Sequence, residues 1–214
     1  MQPKEHWERV YSTKASDAVS WFQAHAALSL RLIRDTGVPR SASIMDVGGG
    51  ASTLVDDLLL DGYTALTVLD LSAAALSAAK RRLDSRAAGV QWVEANITTA
   101  ALPVHAYDVW HDQAVFHFLT APAERQAYVE AVLRSVKPSG QVIVATFDED
   151  GPAQCSGLPV MRYSANELHT EFGSSFILLQ HEKEEHRTLF GTVQKCVYCH
   201  CRKSSSCDHS HART

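Results

Sequence analysis

One stretch constrains this chain more than any other: Ser43-Ile44-Met45-Asp46-Val47-Gly48-Gly49-Gly50-Ala51-Ser52. An apolar run ends in an acid, a glycine cluster follows, and a helical pattern (Leu54, Val55, Leu58, Leu59) starts at once. That order reads as a β-strand, a tight turn and a helix N-terminus. Glycines permit positive φ and let a ligand lie close to bare backbone. The start of the helix offers unpaired N–H groups to a polar ligand. About twenty residues on, a second apolar run, Ala65-Leu66-Thr67-Val68-Leu69, closes on Asp70, placed as an acid that grips ribose hydroxyls.

Around this unit the pattern alternates. Strands are predicted at 43–47, 65–69, 90–94, 107–112 and 141–147, and helices at 52–61, from Ser72 to about Ser85, and at 121–136. Ser72 is a good N-cap and Gly62 a plausible C-terminal stop. Lys137-Pro138-Ser139-Gly140 reads as a turn, and 148–162 as a Gly/Pro-containing loop. Ser164 to Leu168 starts a short capped helix. Two late strands, 176–180 and 192–201, are joined by a charged segment, 181–188. Upstream, residues 4–35 form two amphipathic helices around a loop at Ser12–Asp17. Strand–helix alternation implies a doubly wound parallel sheet, and two consecutive strands at the end imply an antiparallel edge hairpin. No linker divides the chain, so 1–202 is read as one domain with 1–40 as a helical lid, and 203–214 as a disordered polar tail.

The composition narrows the function. With 214 residues, 45% apolar and 21% charged, the chain is that of a globular protein. A net charge of −4 argues against nucleic acid or an anionic membrane as partner. No apolar run approaches the ~20 residues of a membrane span, and the N-terminus lacks the apolar core of a secretion signal. The expected location is the cytoplasm, with the five cysteines reduced.

On these motifs the chain resembles the class I S-adenosylmethionine-dependent methyltransferases. Asp46-Val47-Gly48-Gly49-Gly50-Ala51-Ser52 is similar to that family's first motif, Asp-x-Gly-x-Gly. Asp70-Leu71-Ser72 is similar to its second, Glu94-Ala95-Asn96-Ile97 to its adenine-contacting segment, and Asp108-Val109-Trp110-His111-Asp112 to its fourth. Leu133 to Gln141 is similar to the family's Leu-x-Pro-Gly-Gly turn before strand five. The resemblance implies a Rossmann-like, doubly wound, seven-stranded sheet, mostly parallel, with the antiparallel hairpin at one edge. It implies S-adenosyl-L-methionine as cofactor, with the methionine portion held at Gly48, Gly49, Gly50 and Ser52. Asp46 would face the cofactor amine, Asp70 the ribose, Leu71 the adenine ring, and Ile97 would offer its backbone N–H. Asn96 stands where the family usually has Asp, and its carbonyl would meet the adenine amino group. Trp7 and Tyr11 would close as a lid with Trp21 nearby, unless they are only the buried face of an amphipathic helix.

Chemistry is expected at the end of the fourth strand, because open α/β sheets bind ligands at the carboxyl ends of their strands. His111 is the candidate base near neutral pH, or a cofactor contact. Asp112 is the candidate for orienting a substrate amine. A small-molecule acceptor is expected, with a monomer or homodimer as the assembly. The alternatives are a protein-lysine methyltransferase, suggested by His6-Trp7-Glu8-Arg9-Val10-Tyr11, and a non-catalytic cofactor-binding module. Cys155 is expected in the substrate pocket or in the core, and Glu185-His186-Arg187 over the pocket or in solvent. Cys196, Cys199, Cys201 and Cys207 with His200, His209 and His211 supply metal-type donors. On a strand, however, Cys196 faces opposite to Cys199 and Cys201, so no metal site is expected.

Overall fold

The computed structural model describes residues 4–13, 19, 22–188 and 191–205. Its centre is a sheet in the order β3-β2-β1-β4-β5-β10-β9, with the short β8 beside β5. Five strands form its parallel part: β1 (Ser43–Val47), β2 (Ala65–Asp70), β3 (Val90–Glu94), β4 (Tyr107–Gln113) and β5 (Val136–Asp148). They pair in parallel. The edge is an antiparallel hairpin of β9 (Phe176–Arg187) and β10 (Val193–Lys203), with β10 docked on β5. This is the doubly wound, mostly parallel arrangement that the alternation implied, with β8 (Arg162–Tyr163) as an addition and a separate short hairpin of β6 (Gln154–Cys155) and β7 (Leu158–Pro159).

Apolar faces of the strands explain the layering. Ile44, Val109, Ile143 and Tyr198 point to one side and pack with α2 (Ala27–Asp35), α3 (Leu54–Leu60) and α4 (Ala73–Leu83). Met45, Trp110, Val142, Val144, Cys199 and Cys201 point to the other and meet α5 (Pro122–Ser135) and α6 (Ala165–Phe172). Local signals close the helices as expected. The Ser72 hydroxyl accepts from the Ala75 N–H at 3.1 Å, and Ser164 with Glu167 forms a capping box. A further helix, α1 (Lys4–Thr13), lies against α4 with no fully buried residue of its own.

Three expectations are corrected. Segment 181–188 is not a connector: 181–187 continue β9, so the hairpin is far longer than 176–180 and 192–201 suggested. Its alternating burial shows why the composition misled: charged side chains occupy an edge strand whose outward positions meet water. Lys137–Gly140 does not separate helix from strand, because β5 already begins at Val136 and bulges here, with Ser139 at φ 62°. Lys203 ends β10 rather than opening the polar tail, and residues 206–214 lie outside those described.

Asp112, at the end of β4, shows how the sheet is locked to α5. Its carboxylate accepts from the Val115 N–H at 2.8 Å, the Phe116 N–H at 3.1 Å and the Tyr128 hydroxyl at 2.6 Å. The Tyr128 hydroxyl in turn accepts from the Trp110 indole N–H at 3.0 Å. All three side chains are fully buried. Tyr128→Phe should therefore leave a buried carboxylate and a buried indole short of a partner. The expected loss is about 2–3 kcal/mol of unfolding free energy, measured by urea denaturation.

Candidate active site

A large cleft crosses the carboxyl edge of the sheet, following the strand order. Asp70 and Leu71 come from the end of β2, and Asn96 and Ile97 from the segment after β3. Asp46, Gly48, Gly49 and Ser52 come from β1 and the turn behind it. His111 and Gln113 come from β4, Phe147 from β5, Cys196 from β10, and Glu184 and His186 from β9. Trp7 and Tyr11 of α1 form a wall above, with Phe118 and Cys155. Of the residues singled out in the sequence, Gly50 and Asp112 do not line the cleft, and Trp21 lies outside the described residues.

The glycine turn is shaped by the two acids. Gly48 has φ 72°, and its N–H donates to the Leu69 carbonyl at 2.7 Å, tying β1 to β2. A Cβ on Gly49 would overlap the Asp46 carboxylate, and one on Gly50 would stand 2.6 Å from Asp70 Oδ2. Bare backbone is what lets both carboxylates fold under the turn. Asp70 accepts from the N–H groups of Gly50 (3.0 Å) and Ser72 (2.8 Å). Burial nevertheless pushes its carboxyl up to about 6. Arg82 braces the turn from behind, donating to the carbonyls of Ala51 and Ser52 while pairing with Asp56 at 2.7 Å.

The wall above is held by contacts distant in sequence. The Glu8 carboxylate accepts from the Ala73 N–H at 2.6 Å and the Ala74 N–H at 3.2 Å, so α1 caps the N-terminus of α4. Lys4 pairs with Glu94, His6 Nε2 meets Ser156 Oγ at 3.3 Å, and Trp7 packs edge-on against Phe118 at 5.2 Å between ring centroids.

Residues 44–140 match the methyltransferase domain family. That matched segment, a little under half of the chain, is similar to a methyltransferase domain. It is similar to the ubiquinone biosynthesis O-methyltransferase of Klebsiella pneumoniae (strain 342), with 32% identity over 111 residues. That alignment covers 51% of this chain and 44% of the enzyme, so the match spans less than half of the relative's length. The fold is also that of a structure described for the conversion of a disulfide bond into a thioacetal group during echinomycin biosynthesis. The TM-score there is 0.77 at 17% identity, covering 96% of this chain and 93% of the other. It is likewise that of the Burkholderia thailandensis 1,6-didemethyltoxoflavin-N1-methyltransferase, solved with 1,6-didemethyltoxoflavin and S-adenosylhomocysteine. In that case the TM-score is 0.66 at 18% identity, covering 94% of this chain and 84% of that one.

Within the methyltransferase domain several side chains are placed differently from their expected roles. Asp112 is spent on the β4–α5 lock and is turned away from the cleft, so it does not stand where a substrate amine would lie. His111 does reach the cleft wall, but its ring is clamped, with Nδ1 2.7 Å from Asp46 Oδ1 and Nε2 2.9 Å from Ser29 Oγ. With both nitrogens engaged, the ring bridges Asp46 and Ser29. The Asn96 carbonyl accepts from the Thr98 N–H (3.0 Å) and hydroxyl (2.9 Å), a local turn rather than an outward-facing acceptor. Of Glu185-His186-Arg187 only His186 lines the cleft, because neighbours on a strand face opposite ways.

Cys155 and Cys196 share the cleft's far wall, while Cys199 and Cys201 face α5 and α6 on the other side of the sheet. Burial pushes all four thiols up to about 12, so they stay protonated. Among the described residues no group of three His, Cys, Asp or Glu is placed to hold a metal ion.

Two residues that sequence reasoning passed over now stand out: Glu8, which clamps α1, and Glu184, which faces the cleft. A strand running through 181–187 is the signal that would have placed Glu184 and His186 on one face. Glu8→Ala should free α1 from α4. The expected change is about fivefold faster amide hydrogen exchange across α1, equivalent to a cap of about 1 kcal/mol, with the inner-strand amides unchanged.

Proposed function

We propose that this chain is an S-adenosylmethionine-dependent methyltransferase acting on a small molecule. The observation that carries the proposal is the turn itself: bare backbone at Gly48 and Gly49 beside a buried, partly unpartnered carboxylate. Asp46 gives one oxygen to His111, and its Oδ2 is buried with no partner among the described residues. Such an oxygen, beside a turn whose Gly48 and Gly49 leave no room for side chains of their own, fits an ammonium group. The residues fit the rest of the cofactor in the same way. Asp70 would hold the ribose hydroxyls, since its carboxylate is aimed by two backbone N–H groups and faces the cleft. Leu71 and Ile97 offer apolar contact to a base, while the Asn96 carbonyl is already committed to Thr98. When bound, the cofactor supplies an electrophilic methyl group.

The chain's own contribution is then positional. Methyl transfer gains most from holding the reactants in line and dry. Trp7, Tyr11, Phe118 and Phe147 exclude water above the centre of the cleft, and the clamped His111 fixes Asp46 below it. A small acceptor is favoured because α1 and the 149–161 loop already roof the cleft, meeting at His6 and Ser156. We place this activity in the cytoplasm. Among the described residues no helix is long and apolar enough to cross a membrane, and the four described cysteines are unpaired.

Isothermal titration with S-adenosylhomocysteine should show binding; no binding would remove the proposal. Asp70 accepts hydroxyl hydrogens best when ionised, and its carboxyl sits at about 6 in the free protein. Binding is therefore expected to hold level above pH 6 and to weaken up to tenfold per unit below it. Asp70→Asn should lose more than tenfold in affinity at pH 8, given about 1.5–3 kcal/mol for a charged hydrogen bond, and should flatten that pH profile.

A further inference from the structure

The far half of the cleft is built by the edge hairpin, and its chemistry is one-sided. Phe147 of β5, Cys196 of β10 and Glu184 of β9 stand in register on three adjacent strands and face the cleft together. Glu184 Oε2 accepts from the Tyr198 hydroxyl at 3.0 Å, and its other oxygen has no partner among the described residues. Tyr198 is almost fully buried, so it fixes the carboxylate from below. The carboxylates of Asp46, Asp70 and Glu184 line the cleft, and none of its described lining residues is Lys or Arg. Trp7 and Phe118 add aromatic faces across from them.

From this juxtaposition we infer that the acceptor is an amine carried on an apolar or aromatic body, with Glu184 as the residue that recognises its nitrogen. An anion entering the cleft would meet carboxylates and no Lys or Arg among the described lining residues, a costly arrangement in a partly desolvated site. A neutral alcohol would leave Glu184 with one weaker hydrogen bond. An amine or its ammonium form offers several N–H donors to the free oxygen, and aromatic walls attract a cation. Cys196 and Cys155 beside it, kept as neutral thiols, contribute apolar surface and no charge. The inference rests on the methyltransferase reading only in naming the ligand as the methyl acceptor; recognition of an amine at Glu184 is a property of the cleft.

The test uses the full chain saturated with S-adenosylhomocysteine, so that cofactor binding is measured first and separately. Phenethylamine, tryptamine and dodecylamine are then titrated beside the alcohol, thiol and carboxylic acid of the same skeletons. At least one amine is expected to bind ten times more tightly than its matched acid and alcohol. Glu184→Gln should abolish that preference while leaving S-adenosylhomocysteine affinity within twofold. Equal binding of amine and acid, no binding by any amine, or an amine affinity unchanged in Glu184→Gln would each overturn the inference and leave the methyltransferase reading standing. Failure to bind S-adenosylhomocysteine at all would instead remove that reading. With S-adenosylmethionine, label from the methyl group should appear on the preferred amine; label on the matched alcohol or thiol alone also overturns the assignment.

Discussion

The structure depends on two carboxylates folded beneath a turn that has no side chains to keep them out. Asp46 ends β1 one residue short of the turn, and Asp70 ends the neighbouring strand. Each occupies the space that a Cβ on Gly49 or Gly50 would claim. A buried carboxylate without partners would be costly, so the turn supplies them: backbone N–H to Asp70, and the clamped His111 ring to Asp46. The compensation is incomplete. Asp70 keeps a raised proton affinity and Asp46 keeps an empty oxygen. On the proposed function, a positively charged, hydroxyl-bearing ligand would meet that unmet electrostatic demand.

The same economy explains why neighbouring acids serve different ends. Asp46 and Asp112 lie in adjacent strands, in register with His111 and Val47. Asp112 is as deeply buried as Asp70, and burial likewise pushes it up to about 6. Its oxygens, however, are used by two backbone N–H groups and the Tyr128 hydroxyl, so it fixes the geometry of the β4 terminus. Alternation along β4 decides the matter: consecutive residues face opposite sides of a sheet, and His111 takes the side toward α2 while Asp112 takes the side toward α5.

Around this constant centre the walls are assembled from remote segments. The α1 helix buries little apolar surface and is held by its Glu8 cap, the Lys4–Glu94 pair and the Trp7–Phe118 contact. With so few buried apolar contacts, such a wall costs little to move. The opposite wall is rigid, because the β9–β10 hairpin is hydrogen-bonded to the sheet along much of its length.

The local rules legible in the sequence carried the central unit: the βαβ alternation, the glycine turn, the strand-closing Asp46 and Asp70, the Ser72 cap and the Ser164–Glu167 capping box. Each depends on a few consecutive residues, where periodicity and backbone sterics dominate. What the tertiary structure alone decided is which side chains share a space. The charged run 181–187 becomes a strand because β10 is there to pair with it, and only then does Glu184 face the cleft. Glu8 meets α4 across 65 residues, Asn96 turns its carbonyl to Thr98, and Asp112 is claimed by Tyr128. Pairings of that kind are settled by competition among distant partners for buried hydrogen bonds, and a motif in one segment carries no record of who the partner will be. Sequence therefore determined the glycine turn and the two acids beneath it, and the packed sheet determined which side chains stand around them.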